Sequence, residues 1–294
     1  MGYREPRAAA ETGSREVGLA RTRGALTEAL GYAPQVTTHV VRSLQLDVIG
    51  AGPAYTDRPG ATGASYLVRH GSTAILLDLG QGAFPRLAQA IEPSSLDAVV
   101  VSHLHPDHFI DLVALRHYLR FEFHPGRHVR VIAPAGLVAR LDALHDQPGF
   151  SAVALDVEDV AQGAWPIGDV TVEARKVTHT DDSHAYRVAS ASGVGPGLVY
   201  PGDCGRAEDI DALVQPGDTL LSEVSFGPGP APEGGPHLDG PAVGALAGRT
   251  AVGAVLLTHL QMGFDETATI DAVRDGYSGP ITLVAPGDRF AIGA

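Results

Sequence analysis

Apolar residues recur along this chain at two periods. Short runs with strict alternation or β-branched continuity predict strands at residues 44–49, 64–68, 73–79, 98–101, 129–132, 170–177, 185–189, 197–200, 254–259 and 281–284. Gly71-Ser72 between the second and third of these predicts a hairpin. A helical period predicts helices at residues 83–91, 110–121, 137–144, 207–213, 240–249 and 266–275. Paired strands near each end, with helices after the central strands, predict an α/β protein built as a four-layer αββα sandwich. No internal repeat is apparent.

Two glycine-rich stretches interrupt the pattern. Gly50-Ala-Gly-Pro53 follows a strand but lacks the complete glycine fingerprint and following helix of a nucleotide loop. Residues 227–236 are too rich in Gly and Pro for a regular element, and read equally as a lid or a passive connector. Residues 1–42 carry only a sparse stripe, Leu19, Leu26 and Leu30, and are expected to form an N-terminal extension ahead of a single domain over 43–294. They contain no apolar run of secretory type, and Glu5, Glu11, Glu16 and Glu28 argue against an organelle leader. No run is long and apolar enough to span a bilayer, and the single Cys204 excludes an intramolecular disulfide. The cytoplasm is the expected compartment.

Length and composition agree with one large core: 294 residues at 44% hydrophobic content. Charge narrows the partners further. Six Arg and four Glu fall in residues 1–42, so the remainder holds fifteen basic against thirty acidic side chains. Phosphate contacts dominate nucleic-acid affinity and leave a basic footprint on the proteins that make them. An excess of acid therefore disfavours a long polyanionic partner.

The candidate chemistry sits in Ser102-His-Leu-His-Pro-Asp-His108, directly after the apolar run 98–101. A strand's C-terminal end is where α/β folds place their sites. His103 and His105, on alternate positions, can converge on one cation, while Asp107 and His108 at the turn into the next helix can face a second. Imidazole and carboxylate together suit zinc or a neighbouring first-row ion better than calcium or magnesium. Three further strand ends carry partners of the same kind: His179, Asp203 in Tyr200-Pro-Gly-Asp203, and His259.

The order HxHxDH, H, D, H resembles the metallo-β-lactamase superfamily over about residues 43–290. Asp203 in "YPGD", Ser222-Glu223 with "VSF", His237 in "HLDG" and the terminal "LLTHL" look most like its ribonuclease Z and phosphodiesterase branch. Asp111, where ribonuclease Z usually has glycine, and the absence of a basic arm favour the small-substrate relatives, which include cyclic-nucleotide phosphodiesterases. The resemblance implies a metallo-β-lactamase sandwich and two divalent ions, zinc or else Mn2+ or Fe2+. His103, His105 and His179 would hold one, and Asp107, His108 and His259 the other, with Asp203 bridging. It also implies that Asp78 supports the ligand histidines, that Asp107 orients or deprotonates water, and that His237 protonates the leaving oxygen with Glu223 positioning it. Such enzymes are often homodimers.

The expected activity is therefore hydrolysis of a small anionic phosphodiester, such as a cyclic nucleotide. Its alternatives are a 3′-tRNA-processing endonuclease and a non-catalytic scaffold that keeps the fold. Other histidines (His39, His70, His117, His124, His128 and His145) read as surface or core residues, and so does His184, with contact to substrate as its alternative. Arg116, Arg120, Arg127 and Arg130 read as a solvated basic face, and Cys204 as a buried apolar residue.

Overall fold

The computed structural model describes residues 43–293; the expectations for residues 1–42 lie outside the described residues. Among the described residues, fourteen strands form two seven-stranded sheets. The first contains β1 (Gln45–Gly50), β2 (Ser65–His70), β3 (Thr73–Leu77), β4 (Ala98–Val100), β5 (Val129–Ala133) and β6 (Leu155–Asp159). The second contains β7 (Gly163–Ile167), β8 (Val170–Val177), β9 (Ser183–Ser190), β10 (Leu198–Tyr200), β11 (Thr219–Glu223), β12 (Ala254–Thr258) and β13 (Ile281–Leu283). Strand β14 (Arg289–Ala291) returns to the first sheet and pairs antiparallel with β1. In each sheet an antiparallel half, β1-β2-β3 or β7-β8-β9, leads into parallel strands.

Side-chain alternation explains the layering. On β4 and β5, Ala98, Val100 and Ile132 face the second sheet, packing into a core with Val172, Tyr186, Val188, Leu198 and Leu256. Val99, Val101 and Val131 face outward, onto helices α1 (Phe84–Ala90), α3 (Leu112–Phe121) and α4 (Leu137–Leu144) through Leu87, Leu115 and Leu141. The second sheet does the same, with Val199, Leu220, Val255 and Leu257 packed against α5 (Gly240–Thr250) and α6 (Glu266–Arg274). Both faces of the central strands of each sheet are buried, and the expected αββα sandwich results.

Several expectations are corrected. Residues 106–121 form a short turn of helix, α2 (Pro106–Phe109), followed by α3, because Pro106 fixes φ at a first helical position and starts its own turn. The helix expected at 207–213 is only a 3-10 turn, Ala207–Ile210. Arg116 belongs to no solvated face: it is buried, stacked on Phe150 with its Cζ 4.0 Å from the ring centroid, and its Nε donates to the Phe150 carbonyl at 2.8 Å. Residues 227–236 have no helix or strand, and hydrogen bonds at both ends and in the middle hold them to their surroundings: the Gly227 carbonyl accepts from Gly240 N at 2.8 Å, Ala231 N donates to Asp239 Oδ2 at 2.7 Å, and the Pro236 carbonyl accepts from His179.

Candidate dinuclear metal centre

Four strand ends deliver the candidate ligands. After β4 the chain stays extended through His105, which aims His103 and His105 the same way, and Pro106 then starts the turn that carries Asp107 and His108. Close backbone approach fixes that turn. A Cβ on Gly80 would lie 1.9 Å from the Asp107 carbonyl oxygen, which accepts from Ala64 N at 3.0 Å, so only glycine fits there. The ends of β8, β10 and β12 supply His179, Asp203 and His259 from the opposite sheet.

All seven residues converge, as two overlapping groups that share Asp203. In the first, His105 Nδ1 is 3.0 Å from His103 Nε2 and 3.1 Å from His179 Nε2, and each of those Nε2 atoms is 3.7 Å from Asp203 Oδ2. In the second, Asp203 Oδ1 is 3.4 Å from His108 Nε2 and 3.5 Å from His259 Nε2; Asp107 Oδ2 is 3.1 Å from His259 Nε2 and 3.7 Å from His108 Nε2. A tetrahedral cation with bonds of about 2.0–2.1 Å sets its donors about 3.3 Å apart, which these separations bracket. His108 Nε2 and Asp203 Oδ1 are also buried without any hydrogen-bond partner, a costly state for polar atoms unless a cation faces them. The donor set fits two divalent ions.

Surrounding groups fix the tautomers. His108 Nδ1 donates to Asp78 Oδ2 at 2.7 Å, His179 Nδ1 to the Pro236 carbonyl at 2.8 Å and His259 Nδ1 to Ser225 Oγ at 3.0 Å, leaving each Nε2 lone pair directed inward. The Ser225 hydroxyl in turn donates a hydrogen bond to Glu223 Oε2. Glu223 Oε1 accepts from Cys204 N at 2.8 Å and from His237 Nδ1 at 3.1 Å, so one carboxylate ties together the backbone beside Asp203, the ring of His259 and His237. His237 Nδ1 is 3.8 Å from Asp203 Oδ2, and the ring lines the site rather than the outer surface. Asp78 sits behind the ligands and also accepts from Ser102 N (2.6 Å), Ser102 Oγ (2.7 Å) and the Tyr200 hydroxyl (2.5 Å).

Electrostatics follow from this crowding. Burial drives the His103 imidazole well below its ordinary range. Burial would lift the Asp203 carboxyl, but the rings of His259 and His108 hold it well below the usual carboxylate range. For His108 burial is outweighed by the Asp203 and Asp78 carboxylates, which raise the ring well above its ordinary value. For His237 burial is likewise overcome by the hydrogen bond to Glu223, and the ring is raised. Burial pushes the Cys204 thiol up to about 12, so it is no nucleophile. Asp111 lies outside the cluster and caps the start of α1 through Phe84 N at 2.9 Å. His184 is buried beside the motif, its N donating to the Ser102 carbonyl at 3.0 Å. Ser102, Ser225 and the Pro236 carbonyl carry no sequence signal that marks them as supports.

A family model described as the beta-lactamase superfamily domain matches residues 73–260. An uncharacterized protein of Mycobacterium leprae is 29% identical over 272 residues, covering 89% of this chain and 93% of its own length. A ribonuclease Z of Mycobacterium bovis is 27% identical over 201 residues, covering 62% of this chain and 70% of its own. The crystal structure of the metallo-beta-lactamase fold protein YhfI from Bacillus subtilis superposes with a TM-score of 0.75 at 20% identity, covering 85% of this chain and 99% of its own. With the matched domain taking in every one of the clustered histidines and aspartates, the chain belongs to the β-lactamase superfamily and has its metallo-β-lactamase fold.

Proposed function

We propose that this chain is a dinuclear metal-dependent phosphodiesterase that hydrolyses a small anionic phosphodiester such as a cyclic nucleotide. One observation carries the reading: the two oxygens of buried Asp203 are divided between two sets of imidazoles, and one of those oxygens has no other partner. Zinc, or Mn2+ or Fe2+, would be held by His103, His105 and His179 on one side and Asp107, His108 and His259 on the other, with Asp203 shared, and would supply Lewis acidity toward a phosphoryl oxygen and acidify water.

The chain's own residues do the rest. Asp107 orients the attacking water and takes up its proton. His237, kept protonated to higher pH by Glu223, hands a proton to the departing oxygen. Glu223 and Asp78 hold the rings in register. Metal-loaded protein is expected to turn over bis(p-nitrophenyl) phosphate and cyclic AMP, and His237→Ala to lower kcat by roughly 10²–10⁴-fold with metal content unchanged. Turnover of a lactone or thioester with neither phosphodiester cleaved would reject the assignment.

A second reading, a 3′-tRNA-processing endonuclease, is favoured by the similarity to ribonuclease Z of Mycobacterium bovis. The thirty acidic against fifteen basic side chains beyond residue 42 weigh against it. Cleavage of a precursor tRNA by the loaded protein would reverse that ranking.

A further inference from the structure

Gly205 stands two residues beyond the shared Asp203, and none of the assignments above uses it. Its φ lies outside the left-handed region, so what requires glycine there is space and not backbone conformation. A Cβ on Gly205 would meet the Gly235 carbonyl oxygen at 2.6 Å and the Pro236 Cα and carbonyl carbon at 3.2 Å, inside the roughly 3.5 Å of ordinary van der Waals contact. The missing side chain is the gap into which the Gly235–Pro236 segment fits.

That segment orients one ligand. The Pro236 carbonyl accepts from His179 Nδ1 at 2.8 Å, which keeps the other ring nitrogen directed at the clustered donors. Gly205 is pinned to the same strand end, because its N–H donates at 2.5 Å to the carbonyl of Thr178, the residue before His179. Cys204 N is held in turn by Glu223 Oε1 at 2.8 Å. Bulk added at residue 205 must therefore displace the facing segment, which belongs to a stretch without helix or strand, and carry the Pro236 carbonyl away from His179. The segment has little slack of its own: Gly235 N donates to the Pro232 carbonyl at 2.9 Å, and a Cβ on Gly235 would lie 3.1 Å from Phe226 Cε2. The other group of donors is oriented differently. His108 is held by Asp78 and His259 by Ser225, both fully buried.

We infer that Gly205 is a positioning residue for His179: by leaving room for the Gly235–Pro236 segment it tunes the ion held by His103, His105 and His179, and not the ion held by Asp107, His108 and His259. The inference rests on the dinuclear reading and adds a control over one ion alone, whichever ester is cleaved.

Isothermal titration calorimetry of chelated protein with Zn2+ tests this without any substrate. Wild type is expected to take up two ions. Gly205→Ala should weaken one of them by roughly 10–100-fold, the usual effect of disturbing a ligand's outer partner, and leave the other within about twofold. His105→Ala identifies which: in that background, where only the second group is intact, adding Gly205→Ala should change the remaining affinity by less than about twofold. Gly235→Ala crowds the same segment against Phe226 and Pro232, and is expected to reproduce the selective loss. Gly248→Ala is the structural comparison, since its Cβ would press on the Gly276 carbonyl oxygen at 2.4 Å from within α5; it should lower the melting temperature and leave both ions. Equal weakening of both ions by Gly205→Ala and Gly235→Ala, no change in either ion, or the same selective loss in Gly248→Ala would overturn the inference. Uptake of fewer than two ions by wild type would show separately that the dinuclear reading had failed.

Discussion

Asp78 accepts four hydrogen bonds on two buried oxygens while its own backbone sits at φ 57°, in the left-handed region. His259 has the same φ, 57°. For a non-glycine residue that conformation costs roughly 1–2 kcal/mol, and in both cases surrounding hydrogen bonds hold it in place. The same residues set the proton inventory. Without ions, the neighbouring carboxylates outweigh burial and raise His108 and His259, so these two rings hold a proton more tightly than a free imidazole. A raised imidazole stabilises the fold fully below its unfolded value, about 6.5, and that contribution disappears as pH climbs through the higher folded value. The loaded site behaves oppositely, because ligating imidazoles must be neutral. The melting temperature of chelated protein is therefore expected to fall as pH rises above neutrality. The loaded protein should lose metal on acidification, with elemental analysis showing depletion by about pH 5. Retention of both ions well below that pH would remove the ligand assignment.

At the scale of elements, the end of the second sheet away from the site is held by a buried ion pair. Arg187 on β9 donates from Nε to Asp218 Oδ2 at 2.7 Å and from Nη2 to Oδ1 at 2.9 Å, while Gly197 N and Gln215 N fill the remaining acceptor positions. Removing one partner of a buried pair typically costs about 3–5 kcal/mol. Asp218→Ala is expected to lower the urea midpoint accordingly, with metal content per folded chain unchanged, since Asp218 precedes β11 and the site lies beyond its other end. The elements legible in the sequence were those whose two faces are both buried, such as β4 and β12, or whose helical stripe is broad. Strands β6 and β7 were not, because exposed Asp and Glu break the pattern in one and Gly163, Trp165 and Pro166 in the other. Strand β11 ends in Ser222-Glu223, which read as chemistry, and β14 is only three residues long. The seven donors were legible because histidine and aspartate recur just beyond the ends of four apolar runs, four of them within one six-residue stretch. Ser225 and the Pro236 carbonyl were not, because a hydroxyl or a peptide oxygen looks the same wherever it serves.

For the whole molecule, the acid excess beyond residue 42 sets how anions arrive. A negative field would repel the small anionic substrate proposed above until it reached the donor-lined edge, and salt screens such a field. Raising ionic strength is therefore expected to leave kcat/KM for cyclic AMP unchanged or to increase it; a steep decline with salt would instead indicate a polyanion-binding surface. No described helix is long and apolar enough to cross a membrane. The sandwich itself has a seam. Four of the donors follow β4 of one sheet and three follow β8, β10 and β12 of the other, so a pair of ions would act as a clasp across one rim, while β14 laces the first sheet back to the chain that leaves β13. Removing the ions with a chelator would take that bridge away at one rim only and leave the apolar core shared by the two sheets to hold the sandwich together.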